Sequence, residues 1–183
     1  HVARAYDAGV RLGTLSWNYR NAYACGAAVD NDAELTVQGR ELVHQLVQLG
    51  MILDVSHLSE GGFWDLCVQT EAPFVASPSN SRTECTHPRN LTDLQFSEIV
   101  RRGGLCGINL YSPFLRDDGQ HATLDDALRH IEHLMACGGE ACLALGCDFD
   151  GCDTLPVGME GARDMENLAE VLLRHNYLES TVN

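Results

Sequence analysis

Several features that would point to common functions are missing from this sequence. No apolar run approaches the roughly 20 residues of a membrane-spanning helix. Basic residues are few, since 12 Lys and Arg residues stand against 26 Asp and Glu residues, for a formal net charge of −14. This balance argues against binding nucleic acid or anionic membranes through a broad basic surface. It suits a cytoplasmic protein that acts on small molecules, which is our expectation here.

Sequence motifs of several enzyme classes are also absent. There is no Gly-x-Gly-x-x-Gly or Gly-x-x-x-x-Gly-Lys segment, so nucleotide binding has no support. A Gly-x-Ser-x-Gly elbow, typical of serine hydrolases, does not occur. The eight cysteines form no Cys-x-x-Cys pair, which argues against a thiolate zinc site or a thioredoxin-like motif. We expect them to be reduced and packed, because they lie within apolar runs.

Short apolar runs and amphipathic segments alternate five times along the 183 residues. The predicted strands are Val10–Trp17, Met51–His57, Pro73–Ser77, Leu105–Tyr111 and Cys142–Gly146. The predicted helices that follow them are Val37–Leu49, a helix starting at Ser59, Asp93–Arg102, Thr123–Met135 and Met165–His175. Thr36, Thr92 and Thr123 are expected to cap helices at their N-termini. Apolar strands that are each followed by a helix indicate an α/β fold with a parallel sheet covered by helices.

Two architectures fit this alternation, a doubly wound open sheet and a (β/α)8 barrel. The barrel is favoured by the residues that end the predicted strands, because barrel enzymes place their active sites at that rim. Those residues are Trp17, His57, Ser77, Tyr111 and Asp148. Five strands cannot close a barrel. We therefore expect residues 1–183 to form a single incomplete TIM-type barrel domain of about five βα units, with the true N-terminus missing.

Three positions near the strand ends have side chains suited to catalysis or binding. A neutral imidazole at His57 either binds zinc or hydrogen-bonds to a neighbouring loop. Asp148 and Asp150 either bind a metal or activate a water, or else form an ordinary Asp-Gly turn. In this acidic protein, Arg82 and Arg89 either clamp a substrate carboxylate or lie on the surface. The pattern alone leaves these alternatives open.

A second histidine cluster, His130-Ile-Glu-His133, lies on a predicted helix. Its spacing differs from the His-Glu-x-x-His of zinc peptidases. We expect these histidines to form the partly exposed flank of the helix.

Five stretches, in this order along the chain, resemble the membrane dipeptidase (renal dipeptidase) family of zinc peptidases, especially its bacterial members. They are Thr14–Asn18, Leu49–Ser59, Arg89–Asp93, Gly103–Asn109 and Gly146–Gly151. The resemblance implies a metallo-dependent hydrolase barrel with two zinc ions bridged by a carboxylate. It also implies a bridging hydroxide that attacks the peptide carbonyl of a dipeptide.

The resemblance implies a role for several residues by motif match. His57 would be a ligand of one zinc, and Asp148 would pass a proton from the nucleophile to the leaving amine. Arg89 would bind the terminal carboxylate of the substrate. Trp17 stands where mammalian members have a substrate-contacting histidine. Together with Tyr111 at another strand end, it is expected to contact the dipeptide.

The chain departs from the family pattern in ways that affect this site. The family has Ser-His-Ser after the third strand, where the histidine is a second zinc ligand, and this chain has Ser77-Pro78-Ser79. The family's upstream His-x-Asp pair, its bridging Glu and its closing Gly-Asn-x-x-Arg region are not present. We expect a partial sequence of a zinc dipeptidase that binds zinc at most weakly. The alternative is a non-catalytic remnant that acts through association, either as a homodimer or by pairing with the rest of a barrel.

Overall fold

The computed structural model describes residues 1–182 and contains a five-stranded parallel sheet. The strands are β1 (Leu12–Thr14), β2 (Ile52–Asp54), β3 (Phe74–Ala76), β4 (Leu105–Asn109) and β5 (Leu143–Cys147). They lie side by side in sequence order, and each pair is parallel. All five predicted strands are present at the predicted places. A sheet in sequential parallel order, with helical crossovers, is the arrangement of a (β/α) barrel wall.

Helices follow the strands and cover one face of the sheet. They are α1 (Val2–Asp7), α2 (Val37–Gln48), α3 (Glu60–Gln69), α4 (Asp93–Arg101), α5 (Ser112–Leu115), α6 (Leu124–Ala136), α7 (Met165–Arg174) and α8 (Glu179–Val182). The three predicted threonine caps are confirmed, because each side chain accepts a hydrogen bond from a first-turn amide. No helix in this described part is both long enough and apolar enough to cross a membrane.

Four of the observed strands are shorter than predicted, and β2 and β3 end early because side chains replace the ladder at their carboxyl ends. Asp54 ends β2, and its Oδ1 accepts hydrogen bonds from the amides of Ser56 at 2.9 Å and Ser77 at 3.2 Å. Its Oδ2 accepts a hydrogen bond from Ser77 Oγ at 3.0 Å. The buried Asp54 therefore fixes the loops that follow β2 and β3, which are the loops that contain the predicted site.

The two faces of the sheet differ in burial. Leu53 and Phe74 are register partners that face the helices, and both are fully buried. Ile52 directly precedes Leu53 and pairs with Leu12 in the neighbouring strand. These two side chains and Leu105 lie on the opposite face of the sheet and are 42–48% exposed. The face away from the helices, here called the concave face, thus presents apolar side chains at the amino ends of the strands and polar side chains at the carboxyl ends.

The prediction for His130 is wrong. Its side chain is fully buried, with Nδ1 accepting from the Ser81 amide at 3.1 Å and Nε2 donating to the Leu115 carbonyl at 3.2 Å. His130 lies three residues after Ala127 and four before Leu134, on the stripe that α6 buries. It therefore links α6 to the loop after β3 and to α5.

Candidate functional site

The imidazole of His57 lies just beyond the carboxyl end of β2 and is held in one orientation. Its Nδ1 is 3.0 Å from Asn18 Oδ1, and because that atom is an acceptor, Nδ1 must bear the hydrogen. The Nε2 lone pair is then free. Burial, and to a lesser degree the charge of Arg89, lowers the pKa of His57 to about 4. A neutral ring whose other nitrogen is fixed by a hydrogen bond is the arrangement typical of metal-binding histidines.

The guanidinium of Arg89 is almost entirely buried, at 6% exposure, and is only partly satisfied. Nη2 donates a long hydrogen bond of 3.4 Å to the Pro78 carbonyl. Among the described residues, Nε and Nη1 have no hydrogen-bond partner. Burial lowers the pKa of Arg89 to about 10, while the carboxylates of Asp54 and Asp148 oppose that shift. Arg89 therefore remains cationic at neutral pH and presents two unpaired donors, an arrangement suited to binding a carboxylate.

Asp148 follows β5 in a backbone conformation that non-glycine residues rarely adopt. Its φ is +66°, and that of Cys147 is +30°. A Cβ at Gly151 would lie 2.2 Å from Asp148 Oδ1, so a larger residue at that position would displace the Asp148 carboxylate. Such conformations are concentrated at functional sites. Asp150, the other candidate carboxylate, lies within the same turn but is exposed.

Two asparagines that the sequence analysis overlooked hold Asp148 in place. Asn109, fully buried at the end of β4, donates from Nδ2 to Asp148 Oδ2 at 3.3 Å. Its backbone is bound in turn by Asn80, whose Oδ1 accepts from the Asn109 amide at 2.9 Å and whose Nδ2 donates to the Asn109 carbonyl at 3.0 Å. A sequence signal exists, because Asn80 lies three residues after the predicted strand Pro73–Ser77 and Asn109 lies near the end of the predicted strand Leu105–Tyr111.

Of the two aromatic candidates, Trp17 lies beside His57, and Tyr111 lies on the side of Arg89. The indole of Trp17 is exposed, and its centroid is 5.6 Å from that of the His57 ring. Tyr111 packs edge-on against Phe114 with centroids 4.9 Å apart, and Arg89 Cζ lies 5.5 Å from the same Phe114 ring. Phe114, which the sequence analysis did not single out, therefore connects Tyr111 to Arg89.

Arg82 does not join the site. Its Nη1 binds Glu60 at 2.9 Å and its Nε donates to the Asn90 carbonyl at 2.8 Å. These contacts tie the loop after β3 to α3. Of the two arginine candidates, only Arg89 keeps donors free.

The described residues do not provide a complete zinc site around His57. Within residues 1–182, His57 belongs to no group of three His, Cys, Asp or Glu side chains whose ligand atoms lie within 4.8 Å of one another. Pro78, at the position of the family's second imidazole, offers no side-chain ligand and packs against Gly146. His57 accordingly fits the role of a single zinc ligand, and the residues present fit no more than that.

Comparison with known proteins identifies the family. The sequence profile of the membrane dipeptidases (Peptidase family M19) matches residues 1–183. The chain belongs to this family. The predicted resemblance is thereby confirmed over the whole sequence.

Solved structures place the sheet within the family fold. A metallopeptidase from Rhodobacter sphaeroides, liganded with a phosphinate mimic of the dipeptide L-Ala-D-Ala, is 32% identical, with a TM-score of 0.92 over 98% of this chain and 54% of that one. Dipeptidase AC, a metallopeptidase of family M19, is also 32% identical, with a TM-score of 0.93 over 99% of this chain and 56% of that one. The M19 chain therefore has the TIM-barrel-like α/β fold that the sequence predicted, and it covers a portion of it.

A curated relative gives the same picture of coverage. An uncharacterised protein encoded in the pqqA 5′ region of Klebsiella pneumoniae is 38% identical over 181 residues, which are 94% of this chain and 66% of that protein. The chain thus spans between about half and two thirds of the length of these relatives.

Proposed function

We propose that this M19 chain is the rim portion of a zinc-dependent dipeptidase that hydrolyses dipeptides to free amino acids. In this proposal, residues 1–183 are a single incomplete catalytic barrel domain. Support comes from the family membership and from the Rhodobacter sphaeroides relative, whose bound ligand mimics a dipeptide. The polar residues at the carboxyl ends of β2, β4 and β5 provide the chemistry.

Arg89 is the single observation that carries the proposal. A buried guanidinium with two unpaired donors lowers the stability of the folded protein by about 1–3 kcal/mol or more, because no acceptor replaces the water molecules that its N–H groups bind in the unfolded chain. A dipeptide always ends in a carboxylate, and a carboxylate that reached the guanidinium would give an anionic acceptor to one of the two unpaired nitrogens. We infer that Arg89 fixes the carboxyl end of the substrate, with Tyr111 and Phe114 forming the apolar wall beside it.

Asp148 would manage the proton transfer in this reaction. Asn109 occupies Oδ2, which leaves Oδ1 to accept a proton from the nucleophile and donate it to the leaving amine. The strained turn at Cys147 and Asp148 would keep the carboxylate in a fixed position during both steps.

His57 would bind one zinc through Nε2, and Trp17 would contact the substrate beside it. The other ligands are not found near His57 in the described part of the chain. For this reason zinc binding by these 183 residues alone would be partial, and a complete site would need further ligands from outside them.

The second candidate function is that of a non-catalytic remnant, favoured by one observation. Pro78 stands where the family has a zinc-binding imidazole, so even a complete barrel would lack that ligand. Such a protein would act through association with a second copy or with the remainder of a barrel. The two candidates differ in whether a dipeptide is hydrolysed.

The test compares two substrates and two matched arginine variants of the full-length protein. L-Ala-L-Ala and its C-terminal amide are assayed with wild type, Arg89→Met and Arg82→Met. We expect wild type and Arg82→Met to prefer the free acid, and Arg89→Met to lose about 100-fold or more in kcat/KM on the acid alone. Equal turnover of acid and amide by wild type would contradict the role of Arg89, and no turnover of either would favour the remnant.

A further inference from the structure

We propose that Asp93, His133 and Cys137 form a second metal site, for zinc, between α4 and α6. Asp93 is the first residue of α4, and His133 and Cys137 lie one turn apart at the end of α6. None of the three contacts His57, Arg89 or Asp148 in the hydrogen-bond network described above. The cluster is the group of three metal-ligating side chains that residues 1–182 bring together.

The distances among the three side chains are close to those around a tetrahedral zinc ion. His133 Nε2 is 3.6 Å from Cys137 Sγ and 2.8 Å from Asp93 Oδ1, and all three ligand atoms lie within 4.8 Å of one another. With ordinary zinc–nitrogen, zinc–sulfur and zinc–oxygen bonds, the nitrogen–sulfur edge would be about 3.6 Å and the nitrogen–oxygen edge about 3.3 Å. The nitrogen–sulfur distance therefore already matches zinc coordination, and the nitrogen–oxygen distance would need to lengthen by about half an ångström.

The surroundings of the cluster are polar. Nε2 of His133 points at the other two ligands, and its Nδ1 is 3.9 Å from Glu84 Oε1. Glu84 therefore places a negative charge behind the imidazole without a direct hydrogen bond to it. Thr83 Oγ1 donates to Asp93 Oδ1 at 3.1 Å and restrains that side chain. Asp93 is about half exposed, so an ion and a water as fourth ligand can enter from solvent.

A plain His133–Asp93 ion pair between the helices is the competing explanation. It accounts for the 2.8 Å contact, and the spacing of four residues brings the sulfur of Cys137 to the same face of α6 as His133, but an ion pair makes no use of that thiol. A soft thiolate together with an imidazole and a carboxylate is a ligand set that selects zinc over magnesium or calcium. The third ligand is the feature that favours a metal site over an ion pair.

Cobalt(II) is the probe for the first experiment, because a cobalt–thiolate bond gives intense near-ultraviolet absorption that imidazole and carboxylate ligands do not. Metal-free full-length protein is titrated with cobalt as wild type, Cys137→Ser, Asp93→Asn and the control Cys152→Ser. We expect thiolate absorption in wild type and Cys152→Ser, its loss in Cys137→Ser and its weakening in Asp93→Asn. No such absorption in wild type, or absorption that persists in Cys137→Ser, would overturn the proposal.

A second experiment needs no variant that might fail to fold. Wild-type protein is treated with iodoacetamide with and without zinc, and the alkylation of each cysteine is followed by peptide mass spectrometry. Cys67, Cys137 and Cys152 are all partly buried, and each is compared with itself in the two conditions. Zinc should slow alkylation of Cys137 at least about tenfold and leave Cys67 unchanged. Equal rates for Cys137 in both conditions would refute the site.

Discussion

At the scale of single residues, the site depends on groups that orient other groups. Asn109 is the clearest case, because it is fully buried and bonds directly to Asp148. Replacing Asn109 with Ala should lower kcat for dipeptide hydrolysis by about 100-fold with little change in KM, since a misplaced carboxylate affects the chemical step more than binding. Steady-state kinetics test this, with the exposed Asn167→Ala as control. A change confined to KM would mean that Asn109 does not position Asp148.

A second residue-scale prediction concerns His130 and pH. Burial lowers the pKa of His130 from 6.5 to about 4 in the folded protein. The unfolded chain therefore binds more protons between those values, and stability falls as the pH drops from about 6.5 to 4, by about 3 kcal/mol for this one group. His57 contributes in the same direction.

The measurement is the free energy of unfolding by urea at several pH values between 4 and 7. His130→Asn keeps an acceptor for the Ser81 amide and should flatten the dependence on pH, although the part due to His57 remains. His44→Asn, on the exposed side of α2, should leave it unchanged. An unaltered slope in His130→Asn would show that this buried histidine does not titrate as described.

The residues of the site differ in how far the sequence could reveal them. His57 and Asp148 end apolar strands, so both pattern and motif pointed to them. The sequence pattern alone could not distinguish Arg89 from Arg82. Only the structure shows that Arg82 is paired with Glu60, whereas Arg89 has two nitrogens without partners. Asn80, Asn109 and Phe114 act through contacts 29 or more positions apart or through side-chain packing, which no local pattern reports.

At the scale of elements, local signals were strong for helices and weaker for strand ends. Thr36, Thr92 and Thr123 cap the predicted helices because capping depends on only three or four neighbouring residues. β2 and β3 end earlier than predicted because Asp54 accepts hydrogen bonds from the amide and hydroxyl of Ser77, 23 positions away. Such long-range side-chain bonds cannot be found from periodicity.

The cap of α6 allows a prediction at this scale. Thr123 and Asp126 form a reciprocal capping box, and α6 buries His130 and positions His133 and Cys137. Thr123→Ala should lower the free energy of unfolding by about 1 kcal/mol. Urea denaturation tests this, with Thr154→Ala in an exposed loop as the matched control. A loss no larger than that of Thr154→Ala would mean that the cap does not contribute to the stability of α6.

At the scale of the whole molecule, the sheet is one wall of the M19 barrel with its concave side uncovered in the described part. Its apolar residues at the amino ends, Leu12, Ile52 and Leu105, are about half exposed, whereas Asp54, Asn109 and Asp148 gather at the carboxyl ends. The alternation of strands and helices was enough to predict this wall. The remainder of the proposed zinc site could not be derived, because within residues 1–182 His57 belongs to no cluster of three metal-ligating side chains.

The most direct test of the proposed function is zinc-dependent dipeptide hydrolysis by the full-length protein, measured before and after chelation in wild type, His57→Ala and Pro78→His. We predict that chelation abolishes hydrolysis of L-Ala-L-Ala, that added zinc restores it, and that His57→Ala is inactive. Pro78→His should bind zinc more tightly, since it supplies the imidazole that the family uses. Hydrolysis that survives both chelation and His57→Ala, or zinc-loaded wild type without any hydrolysis, would contradict the account.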